Sequence, residues 1–306
     1  MAIKIIEEKN IKWINIDRVN DEALEYLKTN YKFHHLDIDD IQSGSQTPKL
    51  DVYAKYLFLV LHFPTLRMGN ITIASNEVDF FVGEGYVITI QQTPSKEIKK
   101  HFYRCKNNKN LRKKWMGNDP GYLLYNITNA LFHESRPLLN IIGKEISALE
   151  NGIFNGHPDV KIVRQLAMLR RNVLGFRRIV DPQRYLLGNL SHTRKPFLDS
   201  EVSLYFDDIN DYLSKLWAIV DTYKDSIDGL HVTVESLINQ RTNKVIGTLT
   251  AISVGLMPLT LLSGIYGMNI DDLPYARDPS KVWFMFLGLA GIICLLIFIM
   301  RRKKML

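Results

Sequence analysis

Gly264-Ile265-Tyr266-Gly267-Met268-Asn269 closes a run, Val245–Tyr266, that holds no charged residue. After a short polar connection comes a second uncharged run, Val282–Met300, and then Arg301-Arg302-Lys303-Lys304. At about 1.5 Å rise per residue, roughly 20 apolar residues in a helix cross a hydrocarbon core about 30 Å thick. Lipid offers no hydrogen bonds, so a spanning segment must satisfy its own backbone, which makes both runs helices. The C-terminal part reads as a first span over 245–269, an external loop over 270–281, a second span over 282–300 and a basic tail over 301–306.

The flanking charges orient this hairpin. Arg241 and Lys244 precede the first span and Arg301, Arg302, Lys303 and Lys304 follow the second, whereas the loop sets Asp271, Asp272 and Asp278 against Arg277 and Lys281. Basic residues stay on the cytoplasmic side, so both termini are expected in the cytoplasm and the protein in the cell membrane. Met1–Lys9 lacks the apolar core of a signal peptide. The only two cysteines are Cys105 and Cys294, and Cys294 falls inside the second span, so no disulfide framework is expected. The net charge of +7 is read largely as the basic C-terminal cluster, which suits anionic lipid headgroups. No aromatic-basic module accompanies it, so nucleic acid is not an expected partner.

Upstream, charged residues make up 23% of the chain and the mean hydropathy is −0.08, values of a soluble protein. Residues 1–120 read as mixed α and β. Tyr56–Phe63 suits a buried strand, and Glu77–Val82 and Tyr86–Ile90 flank Gly83-Glu84-Gly85 as a hairpin. Short helices are expected at Asp21–Thr29 and Asp37–Ile41, with a polar loop at Ser43–Pro48. From Pro120 the apolar period becomes helical: Tyr122–Glu150 with a kink or join at Pro137, then Val160–Val180 stopping by Asp181-Pro182. From Ser200 to Lys244 there is no proline and one glycine, Gly229, and no stop signal separates this stretch from Val245. The simplest reading is one helix of about 100 Å running from the cytoplasm through the membrane. A helix of that length needs partners, and parallel copies of itself are the obvious ones. The divisions expected are 1–199, a cytoplasmic α/β domain, and 200–244, the cytoplasmic part of a stalk helix.

Two helices cannot enclose a water-filled path, so a conduit would require a closed ring of subunits. On the first span Asn243, Ile246, Leu249, Ser253, Met257, Thr260 and Gly264 recur at three- and four-residue steps, mixing polar oxygens with apolar narrowings. That face suits either a pore lining or an ordinary helix-packing stripe. Neither span carries an acid. Mg²⁺ keeps its water tightly, and a ring of neutral oxygens such as Asn269 could hold a hydrated ion without trapping it. Asp271 and Asp272 would raise the local cation concentration. There is no phosphate-cradling glycine loop and no Cys/His cluster at metal spacing, and the eight histidines are scattered, so neither an enzyme nor an ATP-driven pump is expected. The neighbours His34 and His35 read as packing or surface residues.

Thr248-Leu249-Thr250, Met257-Pro258-Leu259-Thr260 and Gly264 to Asn269, with a second span and a basic tail behind them, resemble the signature of the CorA family of magnesium and cobalt transporters. The resemblance implies a homopentameric funnel: an α+β cytoplasmic metal-sensing domain with a mixed sheet and flanking helices, a long stalk helix, and two C-terminal transmembrane helices. It implies a selectivity ring at Gly267, Met268 and Asn269 and polar rings at Asn243 and Thr260. It also implies an apolar gate at Ile246, Leu249 and Met257 and a basic collar at Arg301 to Lys304. Mg²⁺ is implied as cargo and as cytoplasmic regulator, with Co²⁺ and Ni²⁺ as further cargo. Asp208, with Asp211 one turn on, matches the stalk carboxylate that senses Mg²⁺. The chain departs from the family at the expected partner, where Leu66-Arg67-Met68 holds no acid, and in the loop, where Pro274 is followed by Tyr275. A zinc transporter on the same scaffold and a two-span anchor for a cytoplasmic scaffolding domain are the alternatives.

Overall fold

In the computed structural model the described residues are 3–44, 46–67, 72–117, 119–155, 159–199, 201–269, 274 and 278–302. They pack as two compact units, Met1–Leu230 and His231–Leu306.

The first unit is built on six strands: β1 (Ile3–Glu8), β2 (Ile11–Ile16), β3 (Lys49–Val52), β4 (Tyr56–Leu66), β5 (Ile73–Gly83) and β6 (Tyr86–Gln91). Their order is β1-β2-β6-β5-β4-β3, antiparallel except for the parallel β2–β6 pair, so the sheet is mixed. Both faces are covered, which is why β4 reads as a continuous apolar run rather than an alternating one. On one face Ile14, Ile16, Phe58, Val60, Phe81 and Ile88 meet Ala23, Leu24 and Leu27 of α1 (Asp21–Asn30) and Ile38 and Ile41 of α2 (His35–Ser43). On the other, Trp13 meets Phe102 of α3 (Lys96–Asn107) and Trp115 of α4 (Lys109–Met116), and Phe63 meets Phe132 of α5 (Pro120–His133). The expected β5–β6 hairpin is present. Gly85 has φ +75, a conformation that favours glycine, and a Cβ on Gly83 would lie 2.4 Å from the Tyr86 ring.

Side chains start the helices where the sequence supplies an acceptor. Asn20 accepts from Ala23 N (2.9 Å), Asp119 from Gly121 N (2.7 Å) ahead of Pro120, and Asp159 from Ile162 N (2.9 Å). The join expected near Pro137 falls between α5 and α6 (Arg136–Asn155). Three sequence expectations change. The helix expected to stop at Asp181-Pro182 continues as α7, Val160–Ser191, with Pro182 inside it. Proline withholds an N–H and loosens the turn, and the next side chain ties this turn to the sheet: Gln183 Nε2 donates to Ile179 O at 2.7 Å and to His62 O at 2.6 Å, and Gln183 Oε1 accepts from His62 N at 2.8 Å. Helices α3 and α4 were not read from the sequence at all. They also account for the net positive charge: residues 96–116 contain nine Lys and Arg and one acid, a larger excess than the C-terminal cluster supplies.

Helix α8 runs unbroken from Val202 to Tyr266, as the absence of stop signals predicts, and α9 spans Pro279–Arg302. In the first unit α8 lies antiparallel to α7. Arg170 pairs with Asp228 and Arg177 with Asp221, both at 3.2 Å, and Arg184 Nε donates to Ser214 Oγ at 3.3 Å. The mean hydropathy of the apolar part of α8 reaches 1.9.

Candidate functional site

In the second unit, α8 has two contrasting sides. Gly247, Ala251, Gly255, Pro258, Leu259, Leu262 and Tyr266 are its more covered residues, and this is the side on which Tyr266 meets Phe286 of α9, ring centroids 6.5 Å apart. At 3.6 residues per turn, Asn243, Ile246, Leu249, Ser253, Met257, Thr260 and Gly264 fall on the other side. All seven are exposed, Met257 at 68% and Leu249 at 63%. The packing-stripe alternative therefore does not hold within one chain: the residues that turn toward α9 are a different set.

The polar members of the exposed side are arranged by the helix itself. Thr260 Oγ1 donates to Leu256 O at 3.1 Å, which spends the hydroxyl proton on the backbone and leaves oxygen lone pairs to face outward. Gly267 N donates to Ser263 O at 2.9 Å and Met268 N to Ile265 O at 3.2 Å, so the helix winds out across Gly267 and Met268. Asn269 follows, exposed and outside the helix. Tyr266 fixes this end: its hydroxyl donates to Pro274 O at 2.8 Å while its ring rests by Phe286. Asp271, Asp272, Lys303 and Lys304 lie outside the described residues, and of the remaining collar residues Arg302 is exposed.

In the first unit, Asp208 is exposed on α8 and accepts from the Tyr125 hydroxyl of α5 at 3.0 Å. Burial, then this bond to a carboxylate, pushes the Tyr125 phenol up to about 12. Tyr122, Tyr125 and Tyr205 stack within 5.0–6.0 Å of one another beside it. Asp211 is exposed one turn further on. No third acid joins them: among the described residues no group of three His, Cys, Asp or Glu could hold a metal. One chain alone thus offers a hard, six-coordinate cation too few oxygens here. Arg67, at the position expected to supply the partner acid, is exposed at the end of β4, and Met68 lies outside the described residues. His34 is accounted for locally, capping α2 by accepting from Leu36 N at 3.3 Å.

A family model described as CorA-like Mg2+ transporter protein matches residues 8–303. The chain belongs to the CorA family. The cobalt/magnesium transport protein CorA of Thermotoga maritima is 28% identical over 95% of this chain and 82% of its own length. The putative metal ion transporter YfjQ of Bacillus subtilis is 31% identical over 90% of this chain and 84% of its own. The structure of the CorA magnesium transporter from Methanocaldococcus jannaschii superposes with a TM-score of 0.78 at 21% identity, covering 97% of this chain and 92% of that one, which shows a shared fold. As a CorA-family member the protein is a membrane transporter of divalent cations and not an enzyme.

Proposed function

We propose that this CorA-family protein admits Mg²⁺, and with it Co²⁺ and Ni²⁺, into the cytoplasm down the electrochemical gradient, as a homopentamer whose α8 helices surround the path. The observation that carries the reading is the exposed side of α8 from Asn243 to Gly264, turned away from α9 and leading to Gly267-Met268-Asn269. An apolar stripe interrupted by single oxygens is costly to leave in contact with water and of little use to lipid, and it fits a narrow conduit that ions pass without being captured. A membrane potential contributes about 2.3 kcal/mol per charge per 100 mV, so a divalent cation needs no ATP to enter a negative interior.

The test is uptake of Mg²⁺, Co²⁺, Ni²⁺ and Zn²⁺ into liposomes holding purified protein, with and without a proton gradient. Uptake of Mg²⁺ independent of the proton gradient is expected. Zn²⁺ uptake that requires the gradient would replace this reading with a zinc transporter, and no uptake of any ion would leave an anchor. Asn269→Ala is expected to cut Mg²⁺ flux at least tenfold while the oligomer keeps its mass, and unchanged flux would remove Asn269 from the filter.

Cytoplasmic Mg²⁺ is proposed to close the path through Asp208, with oxygens from a neighbouring copy completing the shell that one chain leaves short. Binding to the closed state alone shifts the equilibrium by its differential affinity. Asp208→Ala is then expected to raise the cytoplasmic Mg²⁺ needed for half-closure several-fold in patch recordings. An unaltered Mg²⁺ response would exclude Asp208 as the sensor.

A further inference from the structure

The serines and threonines of 245–266 are Thr248, Thr250, Ser253, Thr260 and Ser263. A hydroxyl facing hydrocarbon costs free energy unless it is bonded, and in a helix it turns back to a carbonyl three or four residues earlier. Three of them do so. Thr248 Oγ1 donates to Lys244 O at 2.9 Å, Thr260 Oγ1 to Leu256 O at 3.1 Å and Ser263 Oγ to Thr260 O at 3.1 Å. The Thr250 and Ser253 hydroxyls make no hydrogen bond among the described residues, and both side chains are exposed.

Both free hydroxyls fall where the exposed side of α8 is otherwise most apolar. At about 100° per residue Ser253 sits near the middle of that side, and Thr250, which is not among the seven residues named above, lies as near the middle as Leu249 does. From Leu249 to Met257 the axis advances about 12 Å, and Ser253 is halfway. Ser253 opens with Met257, Thr260 and Gly264 on a hollow of about 670 Å³ that has no described residue of α9 in its wall. An apolar narrowing of that length gates by shedding its water. A hydroxyl whose proton is not spent on the backbone can donate to one water and accept from another.

We propose that the Ser253 hydroxyl, supported by Thr250 one turn earlier in α8, holds water in the middle of the narrowing between Leu249 and Met257. A hydrated divalent cation then crosses two short dry stretches rather than one long one. Thr260 acts differently: its proton is engaged by Leu256 O, so it presents lone pairs only. Ser253 keeps a donor as well, and so binds water when no ion is present. It thereby sets how easily the narrowing wets. The proposal rests on the reading of α8 as the lining of the path.

The test uses full-length protein in liposomes. Ser253→Ala is expected to lower Mg²⁺ uptake at least fivefold at unchanged oligomer mass, and Ser253→Ala/Thr250→Val to lower it further. Ser253→Thr, which restores a hydroxyl, should keep at least half of wild-type uptake. Wild-type uptake in Ser253→Ala beside reduced uptake in Asn269→Ala overturns this proposal and leaves the path standing. A wild type that takes up no ion removes the path and this proposal with it. A Ser253→Ala oligomer that dissociates on dilution where the wild type stays intact also overturns it, because the hydroxyl would then be bonding a neighbouring helix and not water. A second readout needs no flux. Ser253→Cys and Ile252→Cys, each made with Cys294→Ser, are exposed on both sides of the membrane to a methanethiosulfonate bearing a trimethylammonium group, which attacks thiolates in water. Cys105 is buried, and Cys294→Ser alone gives the background. A mass shift is expected for Ser253→Cys and not for Ile252→Cys, which faces another side of α8. No shift for Ser253→Cys, or equal shifts for both, overturns the proposal.

Discussion

Asp79 is a carboxyl that the sheet has taken out of water. It is 2% exposed in β5, in register with Val60 and Ile90, and its Oδ1 has no hydrogen-bond partner. Burial, then the charges of Glu77 and Asp40, hold its pKa well above the usual carboxylate range, with Lys49 pulling the other way. A raised folded-state value means that the folded form keeps a proton the unfolded chain has released. Asp79 therefore costs no stability below the unfolded carboxylate range, about pH 4, and costs increasingly more as pH rises toward the folded value. Asp79→Asn should abolish that decline, so that its thermal midpoint falls less than that of the wild type between pH 5 and pH 8. Parallel profiles for the two proteins would mean that Asp79 is not carrying the proton. Tyr266 is a second position where one atom matters. Tyr266→Phe keeps the ring by Phe286 and deletes the bond to Pro274 O, a loss of about 0.5–1.5 kcal/mol. The expected outcome is normal assembly with flux reduced by a few-fold, and Tyr266→Ala should do worse in the same liposome assay.

Among the elements, α7 does more than cover the sheet. Strand β3 pairs with β4 only from Leu57 to Val60, so the next outward-facing backbone groups of β4, at His62, would lose their partner. The Gln183 side chain takes both, donating to His62 O and accepting from His62 N, and so continues the ladder past the end of the strand. Gln183→Ala leaves two part-buried backbone groups unpaired, at up to about 1–3 kcal/mol each. A fall of several degrees in the thermal midpoint is expected, and a fall of less than one degree would show that water replaces the amide. Nothing in the sequence marks this amide. A proline followed by a glutamine reads as a helix end, and the partner of Gln183 lies about 120 residues away in β4. Helices α3 and α4 were hidden for a different reason. Their buried positions, Ile98, His101, Phe102, Cys105 and Met116, are few and one is a histidine, while lysines and arginines dominate the count. The β5–β6 hairpin, the α5–α6 join and the unbroken course of α8 were legible, because glycine, proline and charge-free runs act locally and need no partner to be read.

For the whole molecule, the division at Leu230 separates two kinds of stability. The first unit carries a conventional core, with Trp13, Phe58, Phe80, Phe102, Phe132 and Phe176 fully buried. The second leaves most of its apolar side chains uncovered within one chain, so its stability depends on a surrounding that is not water. A fragment of residues 1–230 is accordingly expected to remain folded, with a cooperative thermal transition by circular dichroism; a featureless melt would show that the sheet needs the membrane part. The candidate pathway was legible for the same reason the spans were, since exposure of the Asn243–Gly264 side follows from helical spacing alone. The proposed sensor could be named from the sequence at Asp208 only, because Leu66-Arg67-Met68, where its partner was expected, holds no acid. The α3–α4 pair bears on how the protein as a whole meets salt and surfaces. Outside residues 96–116 the chain holds 30 basic and 31 acidic residues. The isoelectric point near 9.2 therefore belongs to about a fifteenth of the sequence, so that short stretch sets how tightly the protein holds to a cation-exchange resin and how much salt releases it.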